Sequence, residues 1–394
     1  MEIESLDELD DHLDSGEPLS GLRLQDLDLS GHADRLAAHG DLTGLVVLGG
    51  RVPRDVAEVL LHGGAIVFPG IADAPVDPWR GLYVPADLYA GLEQGYAATP
   101  DARAYAWFVD ARLRTDAYCT LVRAIHDDSV TDALDEFVAG RSVVGVMGGH
   151  AVGRHSAAYA GAAGLGHVLA EAGHVVATGG GPGAMEAANL GALCPSPDAV
   201  AEAVRRIAPV PRFRPDVTAW ARVALEAREA VVGDEPAGTP ETLGPTARSL
   251  GIPTWFYGHE PPNVFCDVIA KYFSNAIREE GLLARSNAGV VVLDGAAGTV
   301  QEVFQAVTPL YYAADDAPLP PLVLVGREHW TETVPVWPAL LALARGRRME
   351  QVLHLVDTID DVLPLLTPPI RGDRGTHVGT GITSNPQPPH PDSR

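Results

Sequence analysis

The chain has 394 residues, 46% of them hydrophobic, enough to bury a large core and to divide into more than one folded unit. With 52 acidic against 28 basic residues its formal net charge is −24, which excludes a duplex nucleic-acid reader as the leading expectation. A small anion remains within reach, because backbone amides and one or two arginines hold one locally. Cys119, Cys194 and Cys266 lie far apart without a CxxC pair, so neither a disulfide framework nor a metal site is expected. No apolar run spans a bilayer and the N-terminus is acidic where a leader would be basic, so a cytoplasmic protein with no membrane partner is expected.

Residues 1–95 read as a small α/β unit. Leu22, Leu24, Leu27 and Leu29 mark short strands, 45–48 a firmer one, 56–62 a helix and 65–68 a further strand, with no chemistry among them. Residues 96–140 read as a helical connection, with one helix over 104–125 and another over 130–138. The larger unit runs from 141 to 366. A buried strand at 142–147 leads into Gly148, Gly149 and His150, then a helix at 156–172, a strand at 174–178 and the glycine run 179–183 opening another helix. Helical material between 195 and 245 follows as an insertion. An aromatic stretch at 254–262 then ends a strand, and 263–281 reads as a helix with Val264, Val268, Tyr272 and Ile277 inward. After the strand 290–293, its turn and its helix come a strand at 321–325, a helix at 334–344, a strand at 352–356 and a helix at 359–366. Residues 367–394 offer little to bury and read as a disordered tail. Alternating strands and helices predict a doubly wound, Rossmann-like parallel sheet with ligands at the carboxyl ends of its strands.

Two small-residue turns carry the chemistry. Asp294-Gly-Ala-Ala-Gly298 joins a strand to a helix starting near Thr299, an arrangement that points amide N–H groups and a helix dipole at one spot and suits a phosphate. Glu302 sits one turn in. Taken alone, Thr299-x-x-Glu302 is a capping box, and the cap is the commoner use of such a pair. The second turn, Gly179-Gly-Gly-Pro-Gly183 followed by Met185 and Glu186, changes the weighting, since two such loops on parallel strands converge on one ligand. Neither turn is a GxGxxG dinucleotide fingerprint, and no suitably placed acid for a ribose diol follows, which speaks against an NAD-dependent oxidoreductase. His150, Arg154 and His155 fall on the ligand side of the sheet, and Tyr257, His259 or Glu260 are candidates to sort bases.

The segment Thr178-Gly-Gly-Gly-Pro-Gly-Ala-Met-Glu-Ala-Ala-Asn189 resembles the glycine loop of the LOG (Lonely Guy) family, once labelled lysine decarboxylase-like, and Asp294-Gly-Ala-Ala-Gly-Thr-Val-Gln-Glu302 resembles its PGGxGTxxE signature. The resemblance covers roughly 141–354 and departs from the signature at Asp294, where the pattern has proline, and at Ala296, where it has glycine. It implies a nucleoside 5′-monophosphate phosphoribohydrolase that acts on cytokinin riboside or purine and pyrimidine monophosphates and releases a free base and ribose 5-phosphate. It also implies a small-molecule nucleotide partner, no cofactor and a homo-oligomer. On the same footing, Glu302 and Arg278 are the catalytic pair. Gly179, Gly180, Gly181, Gly183, Met185, Glu186, Gly149, His150, Gly295, Ala296, Gly298 and Thr299 surround the nucleotide. The departures at Asp294 and Ala296 keep open a nucleotide-binding or sensing protein without turnover.

Overall fold

The computed structural model describes residues 2–68, 74–232, 246–256 and 260–368. Two parallel sheets organise the chain. The smaller takes β1 (Glu2–Ile3), β2 (Arg23–Gln25), β3 (Val46–Leu48) and β4 (Ile66–Phe68) in that spatial order. Leu24 and Val47 turn inward from these strands onto Leu9, Leu36, Val56 and Leu60 of the intervening helices, forming an apolar cluster separate from the main one.

The larger sheet holds β5 (Val143–Met147), β6 (Val175–Thr178), β7 (Ser249–Gly251), β8 (Val268–Ile269), β9 (Gly289–Val292), β10 (Leu322–Val325) and β11 (Leu353–Val356), all parallel, in the order β11-β10-β9-β5-β6-β7-β8. Helices cover it, and every residue of β5, β6, β9 and β10 is buried, as expected for strands that face a helical layer on both sides. The α/β, doubly wound class expected from the sequence is therefore the one observed. The chain builds outward from β5 through β6, β7 and β8, then returns to its other side at β9. Between β5 and β9 the winding reverses, the place where parallel sheets of this kind present the carboxyl ends of their strands to a ligand.

Four local expectations are corrected. The connection breaks at 110 and 115–116, inside the helix expected over 104–125, and not at 125–130: Pro100–Val109, Ala111–Arg114 and Ala117–Val138 are separate helices, the last capped by Asp116, which accepts from the Cys119 amide at 2.8 Å. Residues 263–274 are not helical: Val268–Ile269 form β8 against β7 within an irregular stretch, and the helix occupies only Asn275–Arg285 with Ile277 42% exposed. Val264, Val268 and Tyr272 are buried as expected, but from a strand and its flanks. The final helix is replaced by two short 3-10 turns, Ile359–Asp361 and Leu363–Leu365. Tyr257, His259 and the tail beyond 368 lie outside the described residues. Among the described residues no helix is long and apolar enough to cross a membrane, and no cluster of side chains has the makings of a metal site.

Candidate functional site

Three glycine-rich turns meet at the carboxyl ends of β5, β6 and β9. Gly148 and Gly149, after β5, sit between the other two: the Gly149 amide donates to the Asp294 carbonyl at 3.0 Å, and the Ala184 amide donates to the Gly149 carbonyl at 3.2 Å. A side chain at Gly148 would run into Ala184 on one side and Leu293 on the other. The turns after β6 and β9 are thereby held together across β5.

The turn after β6 is buried and internally tied. Gly180 and Gly183 adopt φ of +67° and +77°, a region that favours glycine. A Cβ at Gly179 would stand 2.0 Å from an Arg278 guanidinium nitrogen, and one at Gly181 3.0 Å from the Met185 methyl. Thr178 accepts from the Gly180 amide at 2.9 Å and donates to Asn189 at 2.6 Å. Asn189 in turn donates to Ser249, and Asn263 donates to both Asn189 and the Gly181 carbonyl. The Gly180 amide, in a residue expected beside the nucleotide, is thus already bonded within the protein.

The turn after β9 is different. The helix Ala297–Tyr312 begins two residues before Thr299, its N-cap is Ala296, and no side chain caps it. The capping-box reading of Thr299 and Glu302 is therefore corrected: Thr299 is the third helical residue, buried, and folded back over Gly295, where a Cβ would meet its hydroxyl at 2.2 Å. The first-turn N–H groups have no intrahelical acceptor, and Ala296, Ala297 and Gly298 around them are exposed. The Asp294 carboxylate leans the other way, toward Gly326 at the end of β10. From the same side, His329 makes a close polar contact with the Gly295 carbonyl, 3.1 Å from its Nε2. His329 escaped the sequence reading; the signal available was a Gly-x-x-His run leaving a strand at the ligand edge.

Glu302 and Arg278 meet. Their side chains are 16% and 9% exposed, with Nη1 to Oε1 at 3.4 Å. Arg278 also donates from Nε to the Ile252 carbonyl at 2.9 Å and from Nη2 to the Gly179 carbonyl at 3.4 Å. One guanidinium therefore joins the acid of the β9 helix to the backbone of the β6 turn. Its helix is held at the entry by Asp127, which accepts from the Phe273 and Ser274 amides at 2.9 and 2.8 Å, and along its flank by Glu279, which accepts from Asn275, Gln301 and Gln305. Burial raises the Glu302 carboxyl above its ordinary value; Arg278 pulls it back down, and neighbouring Glu279 pushes it further up.

Two expected binding residues have other duties. Both Glu186 oxygens are taken by Arg154, at 3.0 and 2.5 Å, with both side chains 1% exposed. Met185 packs its thioether over Gly179 and Gly181. His150 is exposed and lies 3.5 Å from Glu260. At the Gly183 end of the β6 turn, beside His150 and Glu260, is a cavity of about 390 Å³.

No protein-family profile matches the sequence, and no curated protein matches it. Among solved structures the chain is similar to "X-ray structure of TM1055", a structural genomics target, at 17% identity and a TM-score of 0.32, over 57% of this chain and 97% of that one.

Proposed function

We propose that the protein hydrolyses the N-glycosidic bond of nucleoside 5′-monophosphates, releasing a free base and ribose 5-phosphate, in the manner of the LOG family its two motifs resemble. The observation that carries the reading is the tie from Glu302 through Arg278 to Gly179: a partly buried carboxylate beside an uncapped helix start, at the reversal point of a parallel sheet. The 5′-phosphate docks on the free N–H groups of the first turn, where the helix dipole and the amides both favour an anion. Remote binding energy then fixes the sugar over the acid.

In the reaction the C1′–N bond breaks as a water oxygen bonds to C1′, and the bond electrons leave with the base. Glu302 takes the proton from water and stabilises the oxocarbenium character of C1′. The proton it holds is the one the departing base nitrogen needs. Arg278, joined to Glu302, keeps the carboxylate ionised and adds positive charge beside the phosphate.

A second reading, a nucleotide-binding protein without turnover, rests on the departures at Asp294 and Ala296; of these Ala296 puts an exposed methyl group at the helix start, while the Asp294 carboxylate turns toward Gly326. Incubating the full chain with AMP, CMP, GMP and UMP and assaying free base decides between them. Release that disappears in Glu302→Gln is the expected result; binding of the same nucleotides without release leaves the second reading standing.

A further inference from the structure

The β6 turn has two ends, and the Glu302–Arg278 pair occupies only the Gly179 end. At the Gly183 end, the cavity of about 390 Å³ falls in the size range of small-molecule sites. Its outer wall is the inserted segment carrying Arg212, Phe213 and Arg214, with Trp220 behind. That wall is anchored. Buried Arg154 donates from its backbone amide to the Pro211 carbonyl at 3.2 Å, and from Nη1 to the Val210 and Trp220 carbonyls at 3.3 and 3.1 Å, while its remaining nitrogens hold Glu186.

The charge pattern is unusual for this chain. Arg154 neutralises Glu186 in the cavity floor, and Arg212 and Arg214 have no carboxylate partner among the described residues, despite a formal net charge of −24. Arg214 instead lies over the Phe213 ring at 5.6 Å. Unpaired guanidiniums on an anchored wall of a cavity are suited to a phosphoryl group, which arginine holds with paired donors.

We infer that this cavity is a second phosphoryl-anion subsite, served by Arg212 and Arg214, so that the protein takes either a nucleotide bearing a further phosphate or a separate phosphate-bearing effector beside its nucleotide. The nucleotide part rests on the proposed function; the anion subsite does not.

The test is calorimetric titration of the full chain with inorganic pyrophosphate at fixed ionic strength, in the wild type, in Arg212→Gln/Arg214→Gln and in Glu302→Gln. The expected result is binding that weakens about tenfold or more in the double variant and is unchanged in Glu302→Gln. Both arginines are exposed, so the double variant is expected to fold, and its melting curve checks that. No binding by the wild type, or equal affinity in the folded double variant, overturns the inference. With AMP present, a retained pyrophosphate site identifies a separate effector, and competition identifies one longer nucleotide. Base release without pyrophosphate binding would end this inference alone, and pyrophosphate binding without base release would end the hydrolase reading alone.

Discussion

The turns after β6 and β9 share a composition and do opposite work. In the first, glycines are required by what the protein itself packs there: Arg278 over Gly179, Met185 over Gly181, Thr178 on the Gly180 amide and Asn263 on the carbonyls. In the second, the helix start is uncapped, Ala296 to Gly298 are exposed, and Gly298 has open space where a side chain would stand. The glycine-richer turn is a scaffold that positions Arg278, and the plainer one has free donors to offer a ligand. Glycine content by itself therefore does not tell which turn leaves its amides free for an anion.

The sharpest way to break this assignment is at the acid that the scaffold positions. Glu302→Gln keeps the shape and removes the proposed general base, and release of free nucleobase should fall about 10²–10⁴-fold with the fold retained. Normal turnover in that variant would remove Glu302 from the chemistry and leave the β6 turn a scaffold for nothing.

The same substitution in both turns should then act with opposite sign. Gly180→Ala forces a left-handed φ on an L-residue and sets its Cβ 2.6 Å from Pro253, so a loss of about 2 kcal/mol or more is expected in denaturant unfolding. Gly298→Ala sits in the first turn of a helix with nothing within 4 Å, and should stabilise by up to about 1 kcal/mol. Equal effects would dissolve the distinction between a packed loop and an open one.

A smaller effect reads the tie itself. Glu302 must be ionised to accept the proton, and its carboxyl is raised by burial, so kcat/KM should be lost as pH falls through a value above that of an ordinary glutamate. Because Arg278 lowers that value and Glu279 raises it, Arg278→Gln should move the acid limb to higher pH and Glu279→Gln to lower pH. A limb that moves with neither substitution belongs to another group.

Much of this was legible in the sequence where periodicity and strand chemistry agree. The buried valine strands β5, β6 and β9 read clearly, because runs such as Val290-Val-Val292 suit a central parallel strand and little else. The segment 263–274 did not, because Val264, Val268 and Tyr272 have helical spacing while Val268 pairs in β8 and Tyr272 bridges to Thr254, which leaves no room for a helix. Glu302 and Arg278 were found by motif and position, but their meeting was not, since the 3.4 Å contact spans separate helices. Glu186 misled for a related reason: its partner Arg154 lies on the other side of β6, and no local pattern announces a buried pair.

The finest test of the comparison puts a cap where the structure lacks one. Ala296 has φ −115° and ψ −152°, extended backbone suited to an N-cap, but its methyl accepts nothing from the helix. Ala296→Ser would supply a hydroxyl to the amides of Gly298 or Thr299, and a gain of about 1 kcal/mol in stability is expected. Those are the donors assigned to the phosphate, so the hydroxyl and the ligand would compete for them. Affinity for ribose 5-phosphate, measured by titration, should therefore fall as stability rises. Stability that rises with affinity unchanged would mean that the phosphate does not use this helix start. In that case the receptor role would have to pass to the β6 turn, whose Gly180 amide is already occupied by Thr178.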